Sequence, residues 1–139
     1  MLTGSRAAPI ALTMGEPAGI GTEIALKAWL RLREEGCAYF LLHDADHVRE
    51  TAHALSLDVP VSAIPVPAEA VRVFRDALPV MPVRLAAPVQ AGHPDPMNAP
   101  AVVEAIRTAV RLAAASEVAA LVTNPIQKSV LYGTGFRFP

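Results

Sequence analysis

The chain has 139 residues, of which 53% are hydrophobic and 18% charged, and its formal net charge is −1. This length and composition are typical of one domain with a hydrophobic core and exclude a disordered chain. The near-neutral charge gives no electrostatic sign of binding to nucleic acid or to an anionic membrane, and no apolar run is long enough to span a bilayer. Cys37 is the only cysteine. With no internal disulfide and no secretory signal, we expect a reducing, cytoplasmic location.

Segments with strand and helix character alternate along the first two thirds of the chain. A strand is predicted from Pro9, and a helix from Thr22 to Arg33. The apolar face of that helix is predicted to carry Ile24, Ala28 and Leu32. The next predicted elements are a buried strand at 39–42, a helix capped by Asp44 or Asp46 that ends near Leu55, an edge strand at 61–65, a short helix at 68–78 and a strand at 79–85.

The last third continues the alternation. Asn98 is predicted to cap a helix that ends near Ala115, with an apolar stripe of Val102, Ile106, Ala109, Val110 and Ala113. A buried strand at 118–123 follows, and a last helical turn is predicted from Asn124-Pro125 to Tyr132. Alternating strands and helices indicate an α/β domain with a mainly parallel sheet flanked by helices. Ligands collect at the carboxyl ends of such strands, so we expect 15–21, 43–46 and 123–128 to lie together.

The most informative motif is Gly15-Glu16-Pro17-Ala18-Gly19-Ile20-Gly21, between the first strand and the first helix. Its glycines permit a close backbone approach and positive φ, and the helix N-terminus offers unpaired N–H groups to an anion. No Lys-Ser or Lys-Thr follows, which excludes a P-loop, and Ile24 stands where a dinucleotide fingerprint needs glycine. We expect Glu16 to orient the loop or cap a neighbouring amide. A tight turn without a ligand is the alternative.

The second informative motif is Thr123-Asn124-Pro125-Ile126-Gln127-Lys128. A lysine near a helix N-terminus is electrostatically unfavourable unless a phosphate or carboxylate lies between the two. The alternative is a solvated lysine whose stem covers apolar surface.

The segment His43-Asp44-Ala45-Asp46-His47 has two imidazoles four residues apart and two carboxylates. A metal site is one interpretation, but we favour helix capping together with surface histidines, and we assign no metal ligand. Asp44 follows Gly21 by 23 residues, close to where a dinucleotide-binding acid would lie, but the interrupted glycine pattern argues against that role.

The two motifs resemble those of the 4-hydroxythreonine-4-phosphate dehydrogenase family of pyridoxal phosphate synthesis. That family carries Gly-Glu/Asp-Pro-Ala-Gly-Ile-Gly-Pro-Glu in the first loop, and this chain departs from it at Thr22, which stands in place of proline. The second motif is similar to the family's Thr-x-Pro-Ile/Val-x-Lys, and 133–139 continues the similarity. The resemblance implies a substrate- and cofactor-proximal loop of Gly15, Glu16, Pro17, Gly19 and Gly21, and an anion-proximal corner of Thr123, Asn124 and Lys128.

The resemblance also implies a fold like that of isocitrate and isopropylmalate dehydrogenases. The implied reaction is NAD- or NADP-dependent oxidation of 4-hydroxythreonine 4-phosphate with decarboxylation, helped by a divalent metal such as Zn, Mg or Co. A small phosphorylated hydroxy acid is the implied substrate, and a homodimer the implied assembly. No nucleic acid or membrane partner is expected.

Family members are more than twice as long as this chain. We therefore expect residues 1–139 to be the N-terminal portion of such an enzyme, with catalytic residues and metal ligands beyond Pro139 and no activity of its own. Two alternatives stay open: a paralogous dehydrogenase of phosphorylated threonate or erythronate, and a non-catalytic α/β module that binds an anion.

Overall fold

The computed structural model describes residues 7–135 and Arg137. Its strands are β1 (Ile10–Thr13), β2 (Tyr39–His43), β3 (Val61–Ala63), β4 (Leu78–Pro82) and β5 (Ala120–Thr123). Its α-helices are α1 (Gly21–Leu32), α2 (Ala45–Ala54), α3 (Pro67–Val73), α4 (Ala99–Ala114) and α5 (Lys128–Gly133). The strands form one sheet in the order β3-β4-β2-β1-β5, and each of its four strand pairings is parallel. The predicted α/β class with a parallel sheet is confirmed.

Helices cover both faces of the sheet, because alternate strand residues point to opposite sides. On one face Ala11, Phe40 and Leu42 pack in a core cluster that also contains buried residues of α4. On the other face Leu41 and Val80 pack in a cluster with buried residues of α1 and α2. Burying both faces explains why β2 is buried along its whole length.

Trp29 lies in the core cluster formed with α1 and α2 and is anchored there by a hydrogen bond. Its side chain is fully buried, and its indole N–H donates to the Phe74 carbonyl over 2.7 Å. The Tyr39 hydroxyl donates to the Ala25 carbonyl over the same distance, and burial raises the pKa of this phenol. The two polar tips are therefore satisfied inside an apolar layer, as buried Trp and Tyr require.

The predicted apolar face of α1 is wrong at Ile24, whereas Ala28 and Leu32 are partly buried and pack against the core. Ile24 is 45% exposed, whereas Ala25, Leu26 and Trp29 are fully buried. A strict four-residue spacing drifts by about 40° per step on a helix with 3.6 residues per turn. The buried face instead follows the mixed three- and four-residue spacing of an amphipathic helix. On α4 the predicted stripe is confirmed at Val102 and Ala109, which are buried, but is wrong at Val110, which is 52% exposed while Leu112 is buried.

The strand predicted at 118–123 exists, but most of it is not buried. In β5 Ala120, Val122 and Thr123 are exposed. The reason is its position, because β5 pairs with β1 on one side and is the edge strand of the described sheet. The prediction that 61–65 forms an edge strand is confirmed by β3 at the other end.

Two predicted helices have different bounds in the structure. The helix predicted at 68–78 ends at Val73, and Leu78 begins β4. The last helix begins at Lys128 rather than at Pro125, because Pro125 packs against the first loop. Phe136, Phe138 and Pro139, which complete the family-like segment, and the N-terminal 1–6 lie outside the described residues. Within the described ranges, no helix combines the length and apolar character that crossing a membrane requires.

Candidate functional site

The carboxyl ends of β1, β2 and β5 bring the three predicted segments together. The Glu16 N–H donates to the Pro125 carbonyl over 2.8 Å. The Asn124 side-chain amide donates to the Thr13 carbonyl over 3.0 Å, and Thr22 Oγ1 lies 2.9 Å from His43 Nε2. The segment 123–128 is therefore hydrogen-bonded to the first loop and its strand, and His43 contacts Thr22 in the first turn of α1, which confirms the expected juxtaposition.

At two positions of the first loop, neighbouring residues of the same chain leave no room for a side chain, so glycine is required. A Cβ on Gly15, where φ is +67°, would lie 2.6 Å from the Pro125 carbonyl oxygen. A Cβ on Gly21 would lie 3.0 Å from Cβ of Asn124. Real Cβ atoms do not approach backbone as closely as the Gly15 position would demand. Close packing against Asn124 and Pro125 accordingly accounts for Gly15 and Gly21.

The remaining loop residues hold its shape and leave its tip open. Glu16 Oε1 accepts a hydrogen bond from the Ala18 N–H at 3.0 Å, which confirms the predicted orienting role. Pro17 is buried, whereas Gly19 is exposed and Ile20 is 61% exposed. No side chain caps α1, so the N–H groups of its first turn have no acceptor within the helix.

His43, predicted as a surface residue, is fully buried at the end of β2. Its Nδ1 accepts from the Asp44 N–H at 2.8 Å, and its Nε2 faces Thr22 Oγ1. Burial, followed by repulsion from His47, lowers the pKa of His43 to about 3. The ring is therefore neutral at physiological pH, and the proton lies on Nε2 because Nδ1 is used as an acceptor.

His47 connects α2 to the first loop. Its ring centroid lies 5.1 Å from that of His43, and its ring hydrogen-bonds to the Pro17 backbone. Burial lowers the pKa of His47, and its hydrogen bond and nearby carboxylates reduce the shift without reversing it. The two histidines are thus linked to two positions of the loop region, Pro17 and Thr22.

Of the two predicted capping residues, Asp44 and Asp46, it is Asp44 that caps α2. Its Oδ1 accepts from the N–H groups of Asp46 at 3.0 Å and His47 at 3.3 Å. Its Oδ2 accepts from the Leu85 N–H at 3.1 Å and so ties down the segment after β4. Burial alone would raise the pKa of Asp44, but these backbone N–H groups favour the carboxylate and lower it overall.

Asn98 has a role that the sequence did not reveal. It occupies the N-cap position of α4, as predicted, but forms no capping hydrogen bond there. Its Oδ1 instead accepts from the N–H groups of Ala86 and Ala87 at 3.0 and 2.9 Å, and its amide donates to the Ala87 carbonyl at 3.1 Å. A buried asparagine far from the segment it binds leaves no local sequence signal.

Only part of the second motif, 123–128, contacts the first loop. Asn124 is buried against Gly15 and Gly21, whereas Thr123 and Lys128 are exposed. Neither of these two exposed side chains has a hydrogen bond or ion pair with another described residue. Lys128 is the first residue of α5, a six-residue helix.

A cleft of about 300 Å³ lies beside the first loop. Pro17 and Gly19 of the loop, Thr22 and Glu23 of α1, and His47 and Glu50 of α2 are among the residues that line it. Across residues 7–135 and 137, no three His, Cys, Asp or Glu side chains are grouped so that they could hold a metal ion. The described residues therefore do not fit a metal centre.

Comparison with known proteins identifies the family. A family model described as "Pyridoxal phosphate biosynthetic protein PdxA" matches residues 35–139. The chain belongs to the PdxA family. It is 48% identical over 134 residues to a 4-hydroxythreonine-4-phosphate dehydrogenase of Methylorubrum populi, and 42% identical over 131 residues to one of Caulobacter vibrioides. Each match covers 94% of this chain but 38% of the relative, so the chain spans well under half the length of these PdxA-family enzymes.

A solved structure shows that the fold is also shared. The X-ray structure of a 4-hydroxythreonine-4-phosphate dehydrogenase from Burkholderia phymatum matches with a TM-score of 0.86. The match covers 96% of this chain and 41% of the other, at 23% identity, and therefore shows the fold alone. The parallel sheet and its flanking helices are thus an arrangement found in a PdxA-family enzyme.

Proposed function

We propose that these residues are the N-terminal portion of a dehydrogenase that oxidises 4-hydroxythreonine 4-phosphate, with decarboxylation, in pyridoxal phosphate synthesis. The observation that carries the proposal is the 42–48% identity to 4-hydroxythreonine-4-phosphate dehydrogenases across 94% of the chain. The convergence of the first loop with β2 and with Asn124 supports it, because parallel sheets collect ligands at this end.

The proposed contribution of this portion is to bind and orient a ligand. Gly19 and Ile20 are exposed at the uncapped start of α1, so an anionic group of substrate or cofactor could reach the first-turn N–H groups. Gly15 and Gly21 hold this loop against Asn124, and Glu16 fixes its turn. Lys128, exposed and without an ion pair in the described part of the chain, would supply a positive charge for the phosphate of the substrate.

The remaining parts of the proposal rest on the family resemblance. They are NAD or NADP as cofactor, a divalent metal such as Zn, Mg or Co, a fold like that of isocitrate dehydrogenase, a homodimer and a cytoplasmic location. A bound nicotinamide cofactor would accept the hydride from the substrate alcohol. We place the metal ligands outside the described residues and derive no catalytic step through the metal.

The decisive experiment is an assay of NAD and NADP reduction with added divalent metal, using 4-hydroxythreonine 4-phosphate and the phosphorylated threonate and erythronate in parallel. We expect turnover of the first substrate by the longer enzyme that carries these residues, and none by residues 1–139 alone. Preference for a sugar acid would assign the paralogous activity. Absence of turnover with every substrate would contradict the proposal and favour a non-catalytic module.

A variant pair tests the role proposed for Lys128 in the same assay. Lys128→Ala is expected to raise KM for the phosphorylated substrate roughly tenfold, because a charge-assisted contact to phosphate is lost. Arg107→Ala is the matched control, since Arg107 is an exposed cation on α4 that does not line the cleft. Equal KM values for the two variants would remove Lys128 from the proposed site.

A further inference from the structure

Thr22, in the first turn of α1, and His43, at the end of β2, form a buried pair beside the first loop. Thr22 is 3% exposed and His43 is fully buried. Because Nδ1 of His43 accepts from the Asp44 N–H, the proton of the neutral ring lies on Nε2 and is donated to Thr22 Oγ1. His43 thereby makes Thr22 Oγ1 an acceptor.

This arrangement leaves the hydroxyl proton of Thr22 free to donate elsewhere. No other described residue accepts a hydrogen bond from Thr22 Oγ1. Thr22 is among the residues that line the 300 Å³ cleft beside the first loop. A buried donor without an acceptor costs roughly 1–3 kcal/mol, so a group in the cleft that accepts this proton gains a favourable contact.

The charges around the cleft indicate which kind of group this is. Glu23 and Glu50 both line it, and no arginine or lysine is among its lining residues. Glu23 is neutralised by Lys27 at 2.6 Å, whereas Glu50 has no ion pair with another residue in the part of the chain that the structure describes. Such surroundings disfavour a phosphate in the cleft. They suit a neutral hydroxyl group, which accepts from Thr22 and donates to a carboxylate.

We propose that this cleft binds a hydroxyl-bearing group of the ligand, with Thr22 as donor and Glu50 as acceptor, and with His43 as the positioning residue that orients the Thr22 hydroxyl. The inference rests on the proposed function for its ligands. The hydroxyl groups come either from the ribose of a nicotinamide cofactor or from the hydroxy-acid substrate. The anion-binding start of α1 and this cleft are then two adjacent subsites with different chemistry.

The test measures equilibrium binding to the intact enzyme by calorimetry, so it does not depend on turnover. The probes are adenosine, 2′,3′-dideoxyadenosine, 4-hydroxythreonine 4-phosphate and inorganic phosphate. We expect Thr22→Val to weaken binding of one hydroxyl-bearing probe roughly fivefold, since one hydrogen bond is lost. Thr22→Ser keeps the hydroxyl and is expected to bind like the wild type. Inorganic phosphate should bind all three proteins equally.

The two sources of the hydroxyl give different results. If the cleft binds ribose, Thr22→Val removes the preference for adenosine over dideoxyadenosine. If it binds the hydroxy acid, affinity for 4-hydroxythreonine 4-phosphate falls and the adenosine preference is unchanged. The inference is overturned if neither changes, if the wild type shows no hydroxyl-dependent binding, or if Thr22→Val weakens phosphate binding. Lack of turnover by the wild type would contradict only the proposed function.

Two further measurements keep the inference testable if Thr22→Val fails to fold. Glu50 is exposed on α2, so Glu50→Ala is expected to fold and to lose the same discrimination, while Glu50→Gln keeps an acceptor oxygen and retains part of it. Nitrogen-15 NMR of the imidazoles should show Nδ1 of His43 unprotonated at pH 7. A protonated Nδ1 would overturn the role of His43.

Discussion

At the residue scale, Gly15 lies in a loop with the glycine pattern of a ligand-binding loop, but packing within the chain already requires glycine there. Its φ of +67° is in the region that glycine tolerates best, and the Pro125 carbonyl fills the space where a side chain would be. The same contact brings the Glu16 N–H to that carbonyl. A change at Gly15 therefore disturbs both the loop and the segment after β5.

We predict that Gly15→Ala lowers the free energy of unfolding by about 3 kcal/mol or more, since a positive φ and a backbone clash add together. Gly36→Ala is the control. Gly36 also has a positive φ, of +79°, but nothing lies within 4 Å of the added Cβ, so its cost should be about 1 kcal/mol. Urea unfolding of both variants measures the difference. Equal costs would show that the contact with Pro125 is unimportant.

Residues whose partners are distant in sequence were the hardest to predict. The motif 15–21 and Asn124 were both identified from sequence, but nothing local showed that Gly21 and Asn124 touch. His43 was predicted to lie on the surface at the end of a strand, as the alternative to a metal site. Its burial depends on Thr22, 21 residues away in the chain, which supplies the hydrogen-bonding partner.

At the element scale, the start of α2 combines a helix cap with a tertiary contact. One Asp44 oxygen caps the helix, and the other accepts from Leu85 beyond β4. The sequence showed that a cap should lie at Asp44 or Asp46 but could not choose between them. Asp46 forms a surface pair with Arg49 at 3.0 Å and is 82% exposed in its side chain.

We predict that Asp44→Ala lowers the free energy of unfolding by roughly 2–3 kcal/mol, because a cap and a tertiary hydrogen bond are lost together. Asp46→Ala should stay within about 0.5 kcal/mol of the wild type, as expected for an exposed ion pair. Chemical denaturation gives both values. Amide exchange at Leu85 should be faster in Asp44→Ala only. An equally large effect of Asp46→Ala would contradict the assignment of the cap.

The order and type of the elements followed from the alternation of apolar runs with helical patterns. The faces of the helices followed only in part, because a sequence with several apolar residues is compatible with more than one buried face. On α1, Ile24 and Ala25 are adjacent in sequence, and only docking on the sheet determines that Ala25 is buried and Ile24 exposed. The bounds of α5 likewise depend on Pro125 packing against Gly15, a contact that arises after folding.

At the scale of the whole molecule, the buried imidazoles make stability depend on pH. The pKa of His43 falls to about 3 in the folded chain from 6.5, and that of His47 is also lowered. Below pH 6.5 these two histidines therefore bind protons in the unfolded chain but stay neutral in the folded chain. The free energy of unfolding consequently decreases as the pH falls. The lowered pKa of Asp44 acts in the same direction below about pH 4.

We predict that the free energy of unfolding decreases between pH 7 and pH 5, with roughly 2 kcal/mol of the decrease due to His43. His43→Asn should make the dependence shallower by about that amount, whatever its effect at pH 7. His93→Asn, at an exposed loop position, is the control and should keep the wild-type slope. Denaturation at several pH values supplies the slopes. A slope unchanged in His43→Asn would contradict the buried, neutral state.

The strand order has a consequence for how the chain folds during synthesis. Among the described strands β1 is synthesised before the other four, yet one of its two neighbours is β5, and the hydrogen bond from the Asn124 amide to the Thr13 carbonyl spans 111 residues. At ribosomal rates of about 5–20 residues per second, the edge of β1 that pairs with β5 stays unpaired for roughly 5–20 s. The first loop cannot take its final shape before then, because Gly15 packs on residues that leave the ribosome after β5. A chaperone that shields β1 during this interval would protect the nascent chain from premature pairing with another strand.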